Sequence, residues 1–102
     1  MKEQASKTLI LNFLSREKVS LQDRFRITKI GLFGSYARGE ETPESDIDII
    51  LEFMPNTENL SEIKSSLKQL IMNEFGKSVD LCREKYLKPY YRDQVLKSAI
   101  YV

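Results

Sequence analysis

The chain has 102 residues, of which 41% are hydrophobic and 30% charged, proportions that are ordinary for a soluble globular domain. Lys and Arg number 16 against 15 for Asp and Glu, so the net charge of +1 does not indicate nucleic acid or an anionic membrane as a main partner. The single cysteine, Cys82, excludes an intramolecular disulfide. The absence of histidine excludes Ser-His-Asp and Cys-His mechanisms and clustered Cys/His zinc sites within the chain.

This length is typical of one domain, and we expect residues 1–102 to form a single unit with a modest core. No apolar run is long enough to span a membrane, and the N-terminal MKEQASKTLILNFLSREK lacks the apolar core and cleavage site of a signal peptide. A lone cysteine is typical of a reducing compartment. The sequence therefore predicts a cytoplasmic protein with no membrane partner and no direct nucleic-acid partner.

The first half of the chain alternates helix and strand patterns. Apolar residues fall close to one face over residues 2–18, which predicts an amphipathic helix, and a short helical turn is expected at residues 21–25. Ile27–Phe33 (ITKIGLF) is rich in β-forming residues and predicts the first strand. A small polar residue directly after Gly34 predicts a helix start over residues 35–38, and GEETPES predicts the turn that follows.

The second half repeats this alternation. Residues 46–53 predict the second strand, and apolar residues at helical spacing predict a helix from Leu60 to Phe75 that ends at Gly76. SVDLC (residues 78–82) predicts a short third strand, and a last helix is expected to start near Pro89 and include Ala99. The resulting order, α-β-α-β-α-β-α, indicates an α/β domain with about three strands and about four helices packed mainly on one side of the sheet.

Two carboxylates stand at the start of the second predicted strand. Because side chains alternate along a strand, Asp46 and Asp48 point to the same side with their Cα atoms about 6–7 Å apart. Placing two such charges together is costly unless a cation joins them. Mg²⁺ takes oxygen ligands and is commonly held by one or two carboxylates together with substrate phosphates. The pair therefore predicts a magnesium site.

The Gly34-Ser35 pair predicts a phosphate site beside it. Glycine permits a close approach to the backbone, the N–H groups at a helix start attract anions, and the serine hydroxyl can bond a phosphate oxygen. If the third strand pairs beside the second, Asp80 approaches the other two aspartates. Three carboxylates can hold two divalent ions while the third carboxylate helps to deprotonate an acceptor hydroxyl, the layout used for nucleotidyl transfer.

These residues resemble a known signature. Gly34-Ser35, ten further residues and then Asp46-Ile47-Asp48 are similar to the pattern of the DNA polymerase beta-type nucleotidyltransferase superfamily. The longer string LFGSYARGE…SDIDI resembles its minimal nucleotidyltransferase (MNT) branch, and GKSVDLC matches where that branch places a third carboxylate. The likeness runs from about Ile27 to Asp80, and VLKSAIYV resembles the last helix of the family.

The resemblance implies a minimal nucleotidyltransferase fold with a mixed sheet, Mg²⁺ as cofactor in the form of two ions, and ATP as substrate. For Arg38 it leaves two roles open, contact with phosphate or a structural ion pair. The implied nucleotide-binding residues are Gly34, Ser35 and Arg38, and the implied catalytic and metal-binding residues are Asp46, Asp48 and Asp80.

The resemblance also implies a partner. Many small members of the MNT branch are antitoxins encoded beside a HEPN-domain RNase toxin, and some transfer AMP from ATP to a tyrosine of that toxin. The short chain leaves no residues to shape an acceptor site, which independently favours a protein acceptor. Two alternatives stay open: neutralisation by direct binding without catalysis, and transfer to a small molecule such as an aminoglycoside, which the lack of an acceptor domain disfavours.

Tyrosines are concentrated near the C-terminus. Such residues fit either half-buried packing or a protein interface, where tyrosine is enriched, and the sequence does not choose between the two. The residues concerned are Tyr86, Tyr90, Tyr91 and Tyr101.

Overall fold

The structure, a computed structural model, describes residues 5–102. Along those residues the helices and strands follow the predicted order, with one short strand added at the end. The α/β class is confirmed, and the sheet has four strands rather than about three. The elements are α1 (Lys7–Phe25), β1 (Ile27–Phe33), α2 (Gly34–Arg38), β2 (Ile47–Phe53), α3 (Leu60–Phe75), β3 (Val79–Arg83), a 3₁₀ turn (Glu84–Tyr86), α4 (Pro89–Ser98) and β4 (Ile100–Tyr101).

The four strands form one sheet in the order β3-β2-β1-β4. β1 is antiparallel to both β2 and β4, whereas β2 and β3 are parallel, so the sheet is mixed as expected. Because β1 runs against β2 and β3, the end of β1 and the beginnings of β2 and β3 meet at one end of the sheet. That end carries the glycine-serine turn and the predicted aspartates.

One face of the sheet packs against α1 and α3 and forms the main core. Alternate residues of β2 point into it, because a strand presents every second side chain to the same face. Ile50 points to the opposite face and is also fully buried, although it lies outside the main core cluster. That second face is crossed by the 3₁₀ turn and α4. The β2 residues in the core are Ile47, Ile49, Leu51 and Phe53.

The first helix is longer than its sequence pattern predicts. The Ser6 hydroxyl caps α1 by accepting a hydrogen bond from the Leu9 amide at 3.1 Å. α1 then continues to Phe25 without a break, because buried Leu21 and Phe25 extend the same apolar stripe. The part of the expected helix over residues 2–4 lies outside the described residues. None of the helices in residues 5–102 combines the length and apolarity that a membrane crossing needs.

The C-terminal segment differs from the expectation that VLKSAIYV forms a last helix. α4 ends at Ser98, and Ala99 is extended with φ −69° and ψ 140°. Ile100 and Tyr101 then pair with Leu32 and Gly31 of β1. Gly31 permits this pairing, because a β-carbon there would lie 2.5 Å from the Ile100 carbonyl oxygen. The prediction was therefore wrong for the last residues, where contact with a distant strand overrides local helix propensity.

Candidate active site

Asp48 and Asp80 lie side by side on neighbouring strands. They are register partners in the parallel β2–β3 pair, so both side chains leave the same face of the sheet, with backbones about 5 Å apart. Asp46 immediately precedes β2 and is exposed, whereas Asp48 is half-buried. The expected pairing of the third strand beside the second is therefore present, and it brings Asp48 and Asp80 together with Asp46 at their margin.

The carboxyl group of Asp48 is in an unfavourable environment for a negative charge. Its pKa is raised to about 6, first by burial and then by the charges of Asp80 and Asp46, while Arg38 acts in the opposite direction. A raised pKa means that the ionised form is held at a cost. The three aspartates thus create a region of excess negative charge at this end of the sheet.

Gly34 provides the space that Asp48 occupies. Its φ is +75°, in the left-handed region that favours glycine. A β-carbon built at residue 34 would lie 2.1 Å from Asp48 Oδ2, far inside van der Waals contact. The carboxylate of Asp48 therefore sits directly against the backbone of the glycine-serine turn, and no side chain fits between them.

The short helix α2 holds the remaining predicted residues. It is anchored by the buried side chains of Tyr36 and Ala37, and half-buried Ser35 lies in its first turn. Arg38 is exposed, and its Nε donates to Glu40 Oε1 at 2.8 Å. Of the two roles left open for Arg38, the ion pair is formed. Because both partners are exposed, a phosphate could replace Glu40 at little cost.

A cleft of about 640 Å³ opens between α2 and α4, next to the glycine-serine turn. We call it the α2–α4 cleft. Its wall from α2 includes Arg38, which the sequence indicated as a site residue. None of its α4 residues was predicted as a site residue, although several lie in the VLKSAIYV segment that resembles the last helix of the family. It is lined by Phe33, Arg38, Gln94, Val95, Lys97 and Ser98.

A second and smaller groove, of about 340 Å³, lies on the other side of the aspartates, between α3 and β3. We call it the α3–β3 groove. Asp80 forms part of its wall. The sequence patterns singled out none of the α3 residues as functional. The groove is lined by Ser61, Lys64, Ser65, Lys68, Asp80 and Leu81.

The donor set of the site fits a hard divalent cation. Carboxylate oxygens are the ligands that Mg²⁺ prefers, and a bound cation would relieve the repulsion that raises the pKa of Asp48. Within residues 5–102, no three acidic or sulfur-bearing side chains are gathered into a ready-made metal cluster. The three-carboxylate set therefore stays a prediction, with Asp48 and Asp80 as its paired members.

The sequence profile of the nucleotidyltransferase domain family matches residues 14–102 of the chain. The chain belongs to this family. The match covers every element from the second half of α1 to the C-terminus, and with it all six predicted site residues. Nucleotidyl transfer is therefore the chemistry of the family to which the chain belongs.

Among curated relatives of this nucleotidyltransferase is protein adenylyltransferase MntA of Thermococcus cleftensis. The two are 37% identical over 98 residues, which is 91% of this chain and 92% of the relative. The match is nearly end to end in both proteins.

Solved structures support the same placement. One, provisionally assigned as a minimal nucleotidyltransferase, superposes with a TM-score of 0.75 at 29% identity, covering 94% of this chain and 95% of the other. Another, from a mutant toxin–antitoxin complex named MntA-HpeT, superposes with a TM-score of 0.61 at 25% identity, covering 97% and 72%. The fold is the minimal nucleotidyltransferase fold, as the sequence resemblance implied.

Proposed function

We propose that this nucleotidyltransferase is a Mg²⁺-dependent protein adenylyltransferase that transfers AMP from ATP to a tyrosine of a HEPN-domain RNase toxin and so acts as its antitoxin. Two observations together carry the proposal: Asp48 is the register partner of Asp80, and the Asp48 carboxylate lies directly against the backbone of Gly34. This arrangement puts a carboxylate pair beside a turn that can receive phosphate. It is the arrangement expected for in-line transfer of a nucleotidyl group.

In the proposed reaction, the tyrosine oxygen forms a bond to the α-phosphorus of ATP, and the bond from that phosphorus to the bridging β-phosphate oxygen breaks. Pyrophosphate leaves, and the phenolic proton passes to the Asp80 carboxylate. Asp46 and Asp48 would hold Mg²⁺ together with Asp80, and the ion, when bound, neutralises charge on the phosphates. The backbone N–H groups of the turn that Gly34 begins would bind the triphosphate, and Ser35 would donate a hydrogen bond to it.

The α2–α4 cleft supports ATP as the substrate. Its volume of about 640 Å³ lies within the range of about 300–1,000 Å³ typical of small-molecule sites. Arg38 and Lys97 supply positive charge, Gln94 and Ser98 supply hydrogen-bonding groups, and the apolar wall includes Phe33. This mixture suits a ligand that combines phosphates, a sugar and a flat base.

The relatives support a protein as the acceptor. The Thermococcus cleftensis protein is named a protein adenylyltransferase, and the solved MntA-HpeT complex is described as a toxin–antitoxin. That complex carries a tyrosine-to-alanine substitution. By analogy, we propose that this chain is an antitoxin and that the group it modifies is a tyrosine of its toxin partner.

A second candidate function is neutralisation by binding alone. The exposed tyrosines favour it, since the side chains of Tyr86 and Tyr90 are 65% and 83% exposed on the 3₁₀ turn and at the start of α4. Exposed tyrosines of this kind are enriched in protein interfaces. In this function the fold would serve as a binding surface, and the aspartates would have no catalytic role.

Label transfer separates the two functions. The protein is co-purified with the product of the adjacent gene, supplied with Mg²⁺ and α-labelled ATP, and the label is located by gel and mass spectrometry. Label on a tyrosine of the neighbour, lost in the Asp46→Asn/Asp48→Asn variant, supports adenylyl transfer. A tight complex that silences the neighbour without label, and that the double variant still forms, supports binding alone.

A further inference from the structure

The α3–β3 groove is not needed to hold ATP. It lies at β3, the edge strand, whereas Gly34 follows β1, two strands away across the sheet. Two strand spacings amount to about 10 Å. Asp48 on β2 stands between the two places. The groove therefore opens on the side of the aspartates opposite the α2–α4 cleft.

The wall that α3 contributes is a stripe of four polar residues. Positions three, four and seven residues apart share one face of a helix, and this stripe runs alongside the apolar stripe that contains Leu67 and Ile71. The ammonium groups donate hydrogen bonds only, and the hydroxyls both donate and accept. The stripe consists of Ser61, Lys64, Ser65 and Lys68.

Among residues 5–102, the lysines of this stripe form no ion pair with an acidic side chain. Every ion pair of those residues lies elsewhere, and neither Lys64 nor Lys68 takes part in one. Lys64 is half-buried, although lysine side chains are usually exposed. The groove contains one carboxylate, that of Asp80, which the proposed reaction already uses. Two positive charges are thus left for a ligand.

The floor of the groove is the outer edge of β3. No strand of the described residues pairs with that edge, since β2 occupies the inner side. An edge strand offers free backbone N–H and C=O groups to an extended segment of another chain. The groove therefore combines a backbone template with a lysine stripe, and both lead to Asp80.

We propose that the α3–β3 groove docks an acidic segment of the acceptor protein, with its carboxylates on Lys64 and Lys68, and thereby delivers the acceptor hydroxyl to Asp80. Charge complementarity selects this occupant. The inference rests on the proposed function and specifies the surface chemistry of its acceptor. In-line displacement requires the attacking and leaving oxygens on opposite sides of the phosphorus, which matches the placement of groove and cleft on opposite sides of Asp48.

The test uses charge reversal in the full-length chain. The groove variant is Lys64→Glu/Lys68→Glu. The control is Lys7→Glu/Lys88→Glu, which changes net charge equally at exposed positions beginning two other helices, where an acidic residue is well tolerated. The probe is a fluorescein-labelled random copolymer of glutamate and tyrosine, and binding is followed by anisotropy at low and at high salt.

We expect the groove variant to bind the copolymer at least about ten-fold more weakly, with the control within about two-fold of the wild type. Lys64→Arg/Lys68→Arg should retain binding, and added salt should weaken the wild type more than the groove variant. Equal binding by the groove and control variants would overturn the inference. The inference would also be overturned if the groove variant lost ATP binding while still binding the copolymer, or if the groove bound single-stranded RNA in preference to the copolymer.

Label transfer to the adjacent gene product separates this inference from the proposed function. If label is transferred, and the groove variant has a raised KM for the acceptor with a nearly unchanged kcat, both stand. If label is transferred with an unchanged KM, the docking inference fails alone. If the wild type transfers no label but the copolymer still requires Lys64 and Lys68, the proposed function fails and the groove remains an acidic-peptide site.

Discussion

Asp48 Oδ2 lies where a side chain on residue 34 would have to stand, 2.1 Å from the position of its β-carbon. The glycine and the aspartate lie on different elements, yet the position of the Asp48 carboxylate excludes a side chain at residue 34. Gly34 is thus required for two independent reasons, its positive φ and the carboxylate against it. Gly39 has only the first of these, since its φ is +71° and nothing lies within 4 Å of its β-carbon position.

This difference predicts unequal outcomes for two matched substitutions. Both Gly34→Ala and Gly39→Ala should cost about 1 kcal/mol of folding free energy from the left-handed backbone. Gly34→Ala should in addition displace Asp48 and lower the rate of nucleotidyl transfer at least about 100-fold. Urea denaturation and label transfer measure the two effects. Comparable activity in both variants would show that Asp48 is free to move aside.

The raised pKa of Asp48 predicts a pH-dependent cost of its charge. Its ordinary value of 3.8 is raised to about 6 in the folded chain, chiefly by burial. Below about pH 3 the group is neutral in both states. Above its ordinary value the folded state binds the proton more tightly than the unfolded state, and this contribution to stability is lost as pH rises through about 6. In EDTA, Asp48→Asn should therefore raise Tm by about 4 °C at about pH 8 and leave it unchanged at about pH 3. Asp23→Asn, on an exposed turn of α1, is the control that should change neither.

Divalent cations should stabilise the chain through the aspartates. A ligand that binds only the folded state raises its apparent stability by mass action. We expect saturating Mg²⁺ at about pH 8 to raise the Tm of the wild type and of Asp23→Asn by several degrees, and to have little effect on Asp48→Asn or Asp80→Asn. Thermal denaturation with and without EDTA provides the measurement. An equal response in all four proteins would place the cation elsewhere.

The α2–α4 cleft predicts residues that bind ATP. Lys97 lines the cleft near the end of α4, whereas Lys88 caps the beginning of the same helix and does not line it. Lys97→Ala should raise KM for ATP about five- to ten-fold because a phosphate-binding charge is lost, with kcat less affected. Lys88→Ala should match the wild type. Steady-state label transfer at varied ATP concentration measures KM for both variants. A larger rise in KM for Lys88→Ala than for Lys97→Ala would show that ATP does not bind in this cleft.

Glu84 holds the C-terminal strand in place. Its carboxylate pairs with Lys29 of β1 and Arg92 of α4, and Tyr101 of β4 donates a hydrogen bond to it at 2.9 Å. The hydrogen bond from Lys29 contributes most to lowering the pKa of Glu84. Because the folded state favours the ionised carboxylate, Glu84 stabilises the fold above the ordinary carboxyl pKa, and this stabilisation is lost as pH falls through the lowered pKa of the folded state.

Glu84→Gln should therefore destabilise the fold by about 1–2 kcal/mol at neutral pH and speed amide hydrogen exchange at Ile100 and Tyr101. As pH falls below the ordinary carboxyl pKa and the carboxyl of the wild type takes up a proton, the difference between the two proteins should shrink. Tyr101→Phe removes one of the three partners and should produce a smaller effect of the same sign. Protection of β4 that is unchanged in Glu84→Gln would contradict this role.

The sequence by itself determined the parts of the site that depend on local rules. Strand alternation predicted that Asp46 and Asp48 share one side, and the glycine-serine turn followed from a strand that ends at Phe33. The α/β class and the order of elements followed from periodicity, and the spacing of the motif was sufficient to indicate the family.

Only the tertiary structure decided which distant residues meet. The register that sets Asp80 beside Asp48, the addition of β4, and the walls of the cleft and groove depend on strand pairing and helix packing between segments far apart in the chain. Local sequence carries little information about such pairing, because the free energy that selects it comes from burial and backbone hydrogen bonds formed only once the segments are in contact. For that reason no sequence pattern singled out Lys64 and Lys68, and only the packing of α3 beside β3 brings them into one groove with Asp80.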